Sequence, residues 1–330
     1  MDWLARTFPS KRQELSEDQP RRDLARRLSK LILPLVFVAW LTFLTISTPV
    51  FLSWQNLSNV SRQVAVVGLL SLGQMVVMLT GNIDLSSASL MGLFGAVLAG
   101  QSLVMPFPLA LGMALVLALV WGLSNGFLVT RGKNISVIVT LSTMYIAQGL
   151  LLIYTQGRPV ILFPMPYEFL GIGSLGPFPW SLIAFTLVAV LMAIVLRYFP
   201  VGRHVYAVGG NREAARVVGI EVKRLIVGVY VTSAMIASLA GMVLLSRVAS
   251  AQPNAGAGME LDSIAAVLIG GASVSGGYGT VLGTIIGVFI LGFINNGLNL
   301  LGVSGYYQYV FKGAIILIAV LVETLQRRSD

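Results

Sequence analysis

Ten apolar runs, nine of them uncharged and the last holding one lysine, separated by short linkers that hold nearly all the charge, constrain this chain more than any other feature. They lie at about Leu31–Leu52, Val64–Thr80, Ser86–Val104, Leu109–Thr130, Ile135–Tyr154, Trp180–Leu196, Leu225–Ser246, Ile264–Ser275, Val281–Leu301 and Tyr306–Val322. Most have the roughly 17–25 residues needed to cross a hydrocarbon core about 30 Å thick. Hydrophobic residues are 56% and charged residues 11% of the 330, against roughly 45–50% and about 25% in a soluble domain. The expected fold is therefore all-α: a polytopic membrane protein with about ten transmembrane helices. Ile264–Ser275, with 12 residues, is too short to cross and is expected to be a broken helix, buried in protein or lining a cavity.

Charge sets the expected orientation. Ten crossings put both termini on one side, and 18 of the 22 Lys and Arg residues then fall on that face: in the tail 1–30, at Arg131 and Lys133, between Arg197 and Arg224, and at Arg327 and Arg328. The opposite face holds Arg62, Arg158 and Arg247, while Lys312 lies about two turns into the last run. By the positive-inside rule the basic face is cytoplasmic, which leaves Gln156–Pro179 and Val248–Ser263 as external segments. The net charge of +9 thus reads as membrane topology rather than nucleic-acid binding. The first run is about 22 residues long, beyond the roughly 7–15 of a signal-peptide core, and is expected to be a retained helix. The division expected is a basic cytoplasmic tail at 1–30 and one transmembrane domain at 31–330.

Several chemistries are excluded by residue usage. Cysteine is absent and His204 is the one histidine, so disulfides, thiolate catalysis and Cys/His metal sites have no ligands. None of the five lysines precedes Ser or Thr, so the chain lacks a G-x-x-x-x-G-K-[ST] phosphate loop and no ATP is expected to be hydrolysed or bound by it.

Polar groups within the apolar runs mark candidate functional positions. Asp84 in GNIDLSS sits between two runs, where a lipid-facing carboxylate costs about 2.5–3.5 kcal/mol. It is expected to face the protein interior, to cap the following helix together with Ser86, and to lie near a substrate pathway or gate. Asn125, Asn295 and Asn296 place amides inside apolar runs, as a polar pathway or interhelical packing requires. Small residues recur every four positions at Gly92, Ala96 and Gly100, at Ser233, Ala237 and Gly241, and at Gly279, Gly283 and Gly287, a pattern that lets helix backbones approach. Trp54, Trp180, Tyr306, Tyr307 and Tyr309 fall near expected helix ends, where aromatic rings favour the headgroup zone.

The charged, glycine-punctuated loop expected at about 198–224 stands out against this apolar background. Its central part reads VYAVGGNREAARVVGI from Val205. Charge alone fits an ordinary solvated loop. Its pattern E-A-A-x-x-x-G, formed by Glu213, Ala214, Ala215 and Gly219, resembles the coupling segment through which ABC importer permeases contact their ATPases. GNIDLS at Gly81, GRHVYAVGGN at Gly202, SAQPNAGAGMELDSIAAVLIGGAS at Ser250, GTVLGTIIGVFILGFINNGLNLLGV at Gly279 and YYQ at Tyr306 together are similar to monosaccharide permeases of the ribose type, from about Leu57 to Val322. Asn82 stands where that family usually has Gly, and Ser87 and Ala88 replace its usual Val-Gly.

That resemblance implies the architecture of an ABC importer permease in a bacterial inner membrane. It implies two transmembrane subunits working as a pair, a cytoplasmic ATP-binding cassette ATPase that uses the ATP, and a periplasmic sugar-binding protein. Gly209, Gly210, Asn211, Glu213, Ala214, Ala215 and Gly219 would carry coupling, with Gly219 permitting a tight turn or close helix approach. The cargo implied is ribose or a similar sugar. A permease of the same superfamily for an autoinducer sugar, a nucleoside or branched-chain amino acids is the alternative. An ion-coupled secondary transporter would rest on Asp84 almost alone, and an intramembrane enzyme lacks a nucleophile and base.

Overall fold

The computed structural model describes residues 35–132, 135–162, 164–314 and 317. The basic tail at 1–30, the start of the first run, Lys133, Asn134, the later part of the last run and both termini lie outside the described residues. The chain divides into two compact units, Met1–Leu52 and Ser53–Asp330. In the first, α1 (Leu35–Ser47) is a short apolar helix. Its Thr42 and Thr45 hydroxyls donate to the Val38 and Leu41 carbonyls one turn back, satisfying polar groups internally.

The second unit is arranged around α2 (Trp54–Leu79), whose N-cap Ser53 accepts from the Asn56 amide. The sequence places its apolar run at Val64–Thr80, so the helix begins ten residues earlier than the hydropathy indicates. Its first turns are polar and extend the helix beyond the apolar run. Almost every residue from Val64 to Leu79 is buried, because α2 packs against α7 (Trp180–Tyr198), α10 (Val222–Val248), α11 (Met259–Ile269) and α12 (Val281–Leu300). A helix apolar on all faces is stable only when surrounded. The neighbouring α3 (Ser87–Ser102) is likewise buried along nearly its whole length.

Around this pair, helices α4 (Phe107–Val129) and α5 (Ser136–Thr155) turn mostly small residues inward and large apolar ones outward, whereas α7 also buries Phe185, Met192 and Leu196. On α4 the buried stripe is Ala110, Ala114, Ala118, Gly122 and Gly126, while Leu109, Val116, Val120 and Leu123 are exposed. A Cβ on Gly122 would stand 2.7 Å from Val231 Cα, and one on Gly126 would stand 2.6 Å from Val227 Cα. Contact this close between α4 and α10 needs glycine, as expected where lipid removes the hydrophobic drive and association rests on packing. Of the stripes read from sequence, Gly241 meets the Met91 backbone of α3 in this way, whereas Gly92 lies against Ala255 in a loop and Gly100 against the Tyr154 ring. Gly279 departs from its stripe, since it precedes α12, whose N-cap Thr280 accepts from the Gly283 amide.

Among the described residues six helices are long and apolar enough to cross a membrane: α2, α4, α5, α7, α10 and α12. The protein is therefore a multi-pass membrane protein, but this criterion gives fewer than the ten crossings expected. At 16 residues α3 spans only about 24 Å, because Leu103 and Val104 turn out of the helix. The short run Ile264–Ser275 is a broken helix, as its length requires. Helix α11 ends at Ile269, Gly270 and Gly271 turn the chain, and no helix resumes until Val281.

Two ends of this unit can be told apart. At one, β1 (Val160–Ile161) pairs antiparallel with β4 (Ser250–Ala251), with Val160 opposite Ala251. The segments Gln156–Pro179 and Val248–Ser263 thus share a side, and the first also holds α6 (Phe169–Ile172) and a hairpin of β2 (Ser174–Leu175) with β3 (Phe178–Pro179). At the other end Arg131 shares a surface hollow with Lys223 and Arg224, which brings together basic clusters far apart in the chain.

Candidate coupling site and buried polar cluster

The segment between α7 and α10 is not the open loop that its charge and glycines suggest. It forms two short helices, α8 (Pro200–Gly210) and α9 (Arg212–Val217). Pro200 starts α8 at a position where its missing N–H costs nothing, and Gly202, Val205 and Val208 face inward. Asn211 then breaks the helix and caps the next one, its Oδ1 accepting from the Glu213 and Ala214 amides at 3.0 Å each. Its role is to hold α9 in place, with Ala215 buried beneath it. After α9, Gly219 turns the chain at φ +88°, the tight turn that is one of its two expected uses, and no atom of this chain's described residues approaches it within 4 Å.

The outer surface of α9 and its C-cap is exposed and carries apolar side chains beside charged ones. Val217 and Val218 are 87% and 76% exposed, beside Glu213 and Arg216, which pair at 3.0 Å with both side chains exposed. Hydropathy alone conceals this patch, since two valines in a charged segment read as ordinary inward positions.

The inner surface fastens α8 and α9 to the chain entering α3. A Cβ on Gly209 would collide with the Leu79 carbonyl, whereas Gly210 has nothing near. Leu79 O accepts from the Gly277 amide at 2.9 Å, and Tyr206 Oη donates to Gly279 O at 2.9 Å. Arg212 donates to Thr80 O at 3.1 Å and to Asn82 Oδ1 at 2.8 Å. Three segments, 79–84, 206–212 and 276–279, therefore meet at one junction.

From that junction a chain of hydrogen bonds runs inward. Ile83 O accepts from Tyr230 Oη at 3.1 Å and from Thr140 Oγ1 at 3.2 Å, on α10 and α5. Asp84 is 2% exposed. Its Oδ1 accepts from the Ser86 amide at 2.9 Å and hydroxyl at 2.8 Å, and its Oδ2 from Ser233 Oγ at 3.1 Å. Ser86 Oγ accepts in turn from Asn125 Nδ2 at 2.7 Å and Trp121 Nε1 at 3.3 Å. The capping expected of Asp84 and Ser86 takes a different form: Ser86 stands at the N-cap position without a side-chain cap bond, because its hydroxyl is committed to Asp84 and Asn125. A buried carboxylate with several donors is the arrangement that burial demands.

Asp84 and Asn125 are thus one cluster, while Asn295 and Asn296 belong elsewhere. Asn296 exchanges two hydrogen bonds with Asn56, at 2.8 and 3.0 Å, near the start of α2 and some 23 residues, or about 35 Å, along that helix from its other end. Asn295 is half-buried on the same stretch of α12. Sequence reasoning counted Arg212 only as charge and Ser233 only as a small packing residue, and gave Tyr206 and Tyr230 no role. A basic residue and hydroxyls at regular helical positions give no local signal of whom they touch.

Residues 56–320 match the family described as branched-chain amino acid transport system / permease component. The ribose import permease protein RbsC of Bacillus subtilis is 42% identical over 323 residues, 95% of this chain and 98% of that protein. The protein of the same name in Escherichia coli K12 is 40% identical over 298 residues, 89% of this chain and 92% of the relative. An L-arabinose ABC transporter permease protein of Azospirillum brasilense is 32% identical, covering 98% of this chain and 96% of its own length. No solved structure matches the chain.

Proposed function

Because this chain belongs to the branched-chain amino acid transport system / permease component family, we propose that it is the membrane subunit of an ATP-driven importer for a monosaccharide. Relatives named for ribose, L-arabinose and xylose transport all carry pentoses, and ribose or a similar pentose is the cargo this favours. The ATP is bound and hydrolysed by a separate cytoplasmic ATPase. A periplasmic binding protein delivers the sugar, and a second copy of the permease completes the path. The chain crosses the bacterial inner membrane ten times, with both termini and α8–α9 in the cytoplasm.

The two-sidedness of α9 carries this reading. Its outer face offers Val217, Val218, Glu213 and Arg216 to a partner, and its inner face holds Thr80 and Asn82 through Arg212. A displacement of α9 by a closing ATPase is passed to 79–84, and from Ile83 and Asp84 to α3, α4, α5 and α10. Packed elements shift between discrete arrangements rather than deform smoothly, so movement at one end alternates access along the bundle. Asp84 and Asn125 hold the helices of this route together and stand near the path, with Gly209, Asn211, Ala214 and Ala215 shaping the coupling element.

Counter-flow and uptake of D-ribose, D-xylose, L-arabinose and L-leucine by the reconstituted complex test the cargo. Pentose uptake that requires ATP is expected. Uptake of leucine alone contradicts it, and so does a co-purifying binding protein that retains an amino acid.

A further inference from the structure

Arg62 and Arg247 lie at the same boundary of the bundle. Arg62 on α2 is two residues before the apolar run that starts at Val64, and Arg247 on α10 directly follows the run that ends at Ser246. These helices pack alongside each other. The α6 segment sits between them. Arg62 Nη2 donates to Ile172 O at 3.0 Å and to Ser174 Oγ at 3.1 Å. On the other flank the Gly171 amide donates to Ser246 Oγ at 2.8 Å, and Gly171 lies against the backbone of Arg247.

Neither guanidinium has a carboxylate partner among the described residues. Glu168, on the same segment, engages Ser246 through its backbone carbonyl. Arg62 Nε is buried without a hydrogen-bond partner. Beside this uncompensated pair, Phe169, Ile172, Leu175 and Phe178 are each about half exposed or more. Two cations flanking one short segment with an apolar surface, at the level where helices leave the hydrocarbon, complement an anion that carries its own apolar chains.

We propose that Arg62 and Arg247 bind the phosphate of an anionic phospholipid, with Phe169, Ile172, Leu175 and Phe178 lying against its acyl chains. Arginine suits this role because its planar fork matches phosphate oxygens and its charge persists at any physiological pH. The depth favours a lipid over a docking protein's acidic side chain. Both arginines sit at the edges of apolar runs, where glycerophosphate groups lie, and the surrounding surface is apolar rather than polar. The inference is independent of the cargo, so failed sugar uptake would leave it standing.

The test compares phosphatidylglycerol with phosphatidylcholine on the purified full-length permease, by native mass spectrometry and by thermal unfolding in nanodiscs. The wild type is expected to retain phosphatidylglycerol about tenfold better, since each basic residue near a surface contributes to anionic-lipid attraction, and to unfold at higher temperature with it. The double variant R62Q/R247Q loses that preference, while R158Q, between α5 and β1, keeps it. A wild type indifferent to the two lipids overturns the proposal whether or not the variant folds. So does a double variant that retains phosphatidylglycerol as the wild type does. Weakened docking of the periplasmic binding protein with lipid retention unchanged would overturn it too, by assigning the arginines to a protein carboxylate.

Discussion

The guanidinium of Arg212 donates to Asn82 Oδ1 at 2.8 Å and to the Thr80 carbonyl at 3.1 Å, joining the cytoplasmic helix α9 to the segment that enters α3. Hydrogen bonds to charged groups contribute about 1.5–3 kcal/mol, which is comparable to a typical coupling energy of about 1–3 kcal/mol between sites. Arg212→Leu removes both bonds and is expected to lower uptake at least about tenfold at unchanged membrane abundance. Asn82→Gly removes one and should have the smaller effect. Equal losses in the two variants would show that the Thr80 contact contributes nothing.

Gly209 and Gly210 are adjacent but should respond in opposite ways. Gly209→Ala drives a methyl into the Leu79 carbonyl, and overpacking of this kind costs about 1–3 kcal/mol. Gly210→Ala meets open space within a helix and should be neutral or stabilising by up to about 1 kcal/mol. Thermal unfolding of both variants in detergent distinguishes them, and matching melting temperatures would contradict the close approach of α8 to α2.

Asp84 should tolerate Asn better than Leu. Asn retains an oxygen for Ser86 or Ser233, whereas Leu leaves the Ser86 amide and both hydroxyls without their acceptor, at a cost of roughly 1–3 kcal/mol for each donor left unsatisfied. Membrane abundance and sugar uptake are measured separately. Leu at wild-type levels in both removes Asp84 from the structure and from the path.

The sequence displayed the membrane class and the broken helix at Ile264–Ser275 because both follow from apolar run length. It displayed Asp84 and Asn125 as polar residues in apolar surroundings. That they meet through Ser86 was hidden, since Asn125 is 39 positions from Ser86 and hydropathy holds no information on which helices touch. The start of α2 at Trp54 was hidden because a helix that leaves the apolar slab loses the signal used to find it. Which of Gly209 and Gly210 is squeezed depends on the face of α8 turned inward, and composition is blind to that. The coupling segment was legible as a motif, but its helical form and the exposed Val217 and Val218 were not.

Topology can be read directly because the chain has no cysteine. Single cysteines at Gln156 and at Asn254 should react with an impermeant maleimide in cells with a permeabilised outer membrane, and one at Glu213 only after the inner membrane is broken. β1 pairs with β4, so Gln156 and Asn254 must behave alike. Labelling of Glu213 from outside would reverse the orientation proposed.

The central claim is that α9 transmits the ATPase state through Arg212 to the Asp84 cluster. Proteoliposomes containing the permease, its ATPase and its binding protein report D-ribose uptake and sugar-stimulated ATP hydrolysis together. With Arg212→Leu, the ATPase is expected to remain bound and to hydrolyse ATP at its basal rate, while stimulation by sugar and uptake both disappear. Wild-type uptake and stimulation in that variant would contradict the account.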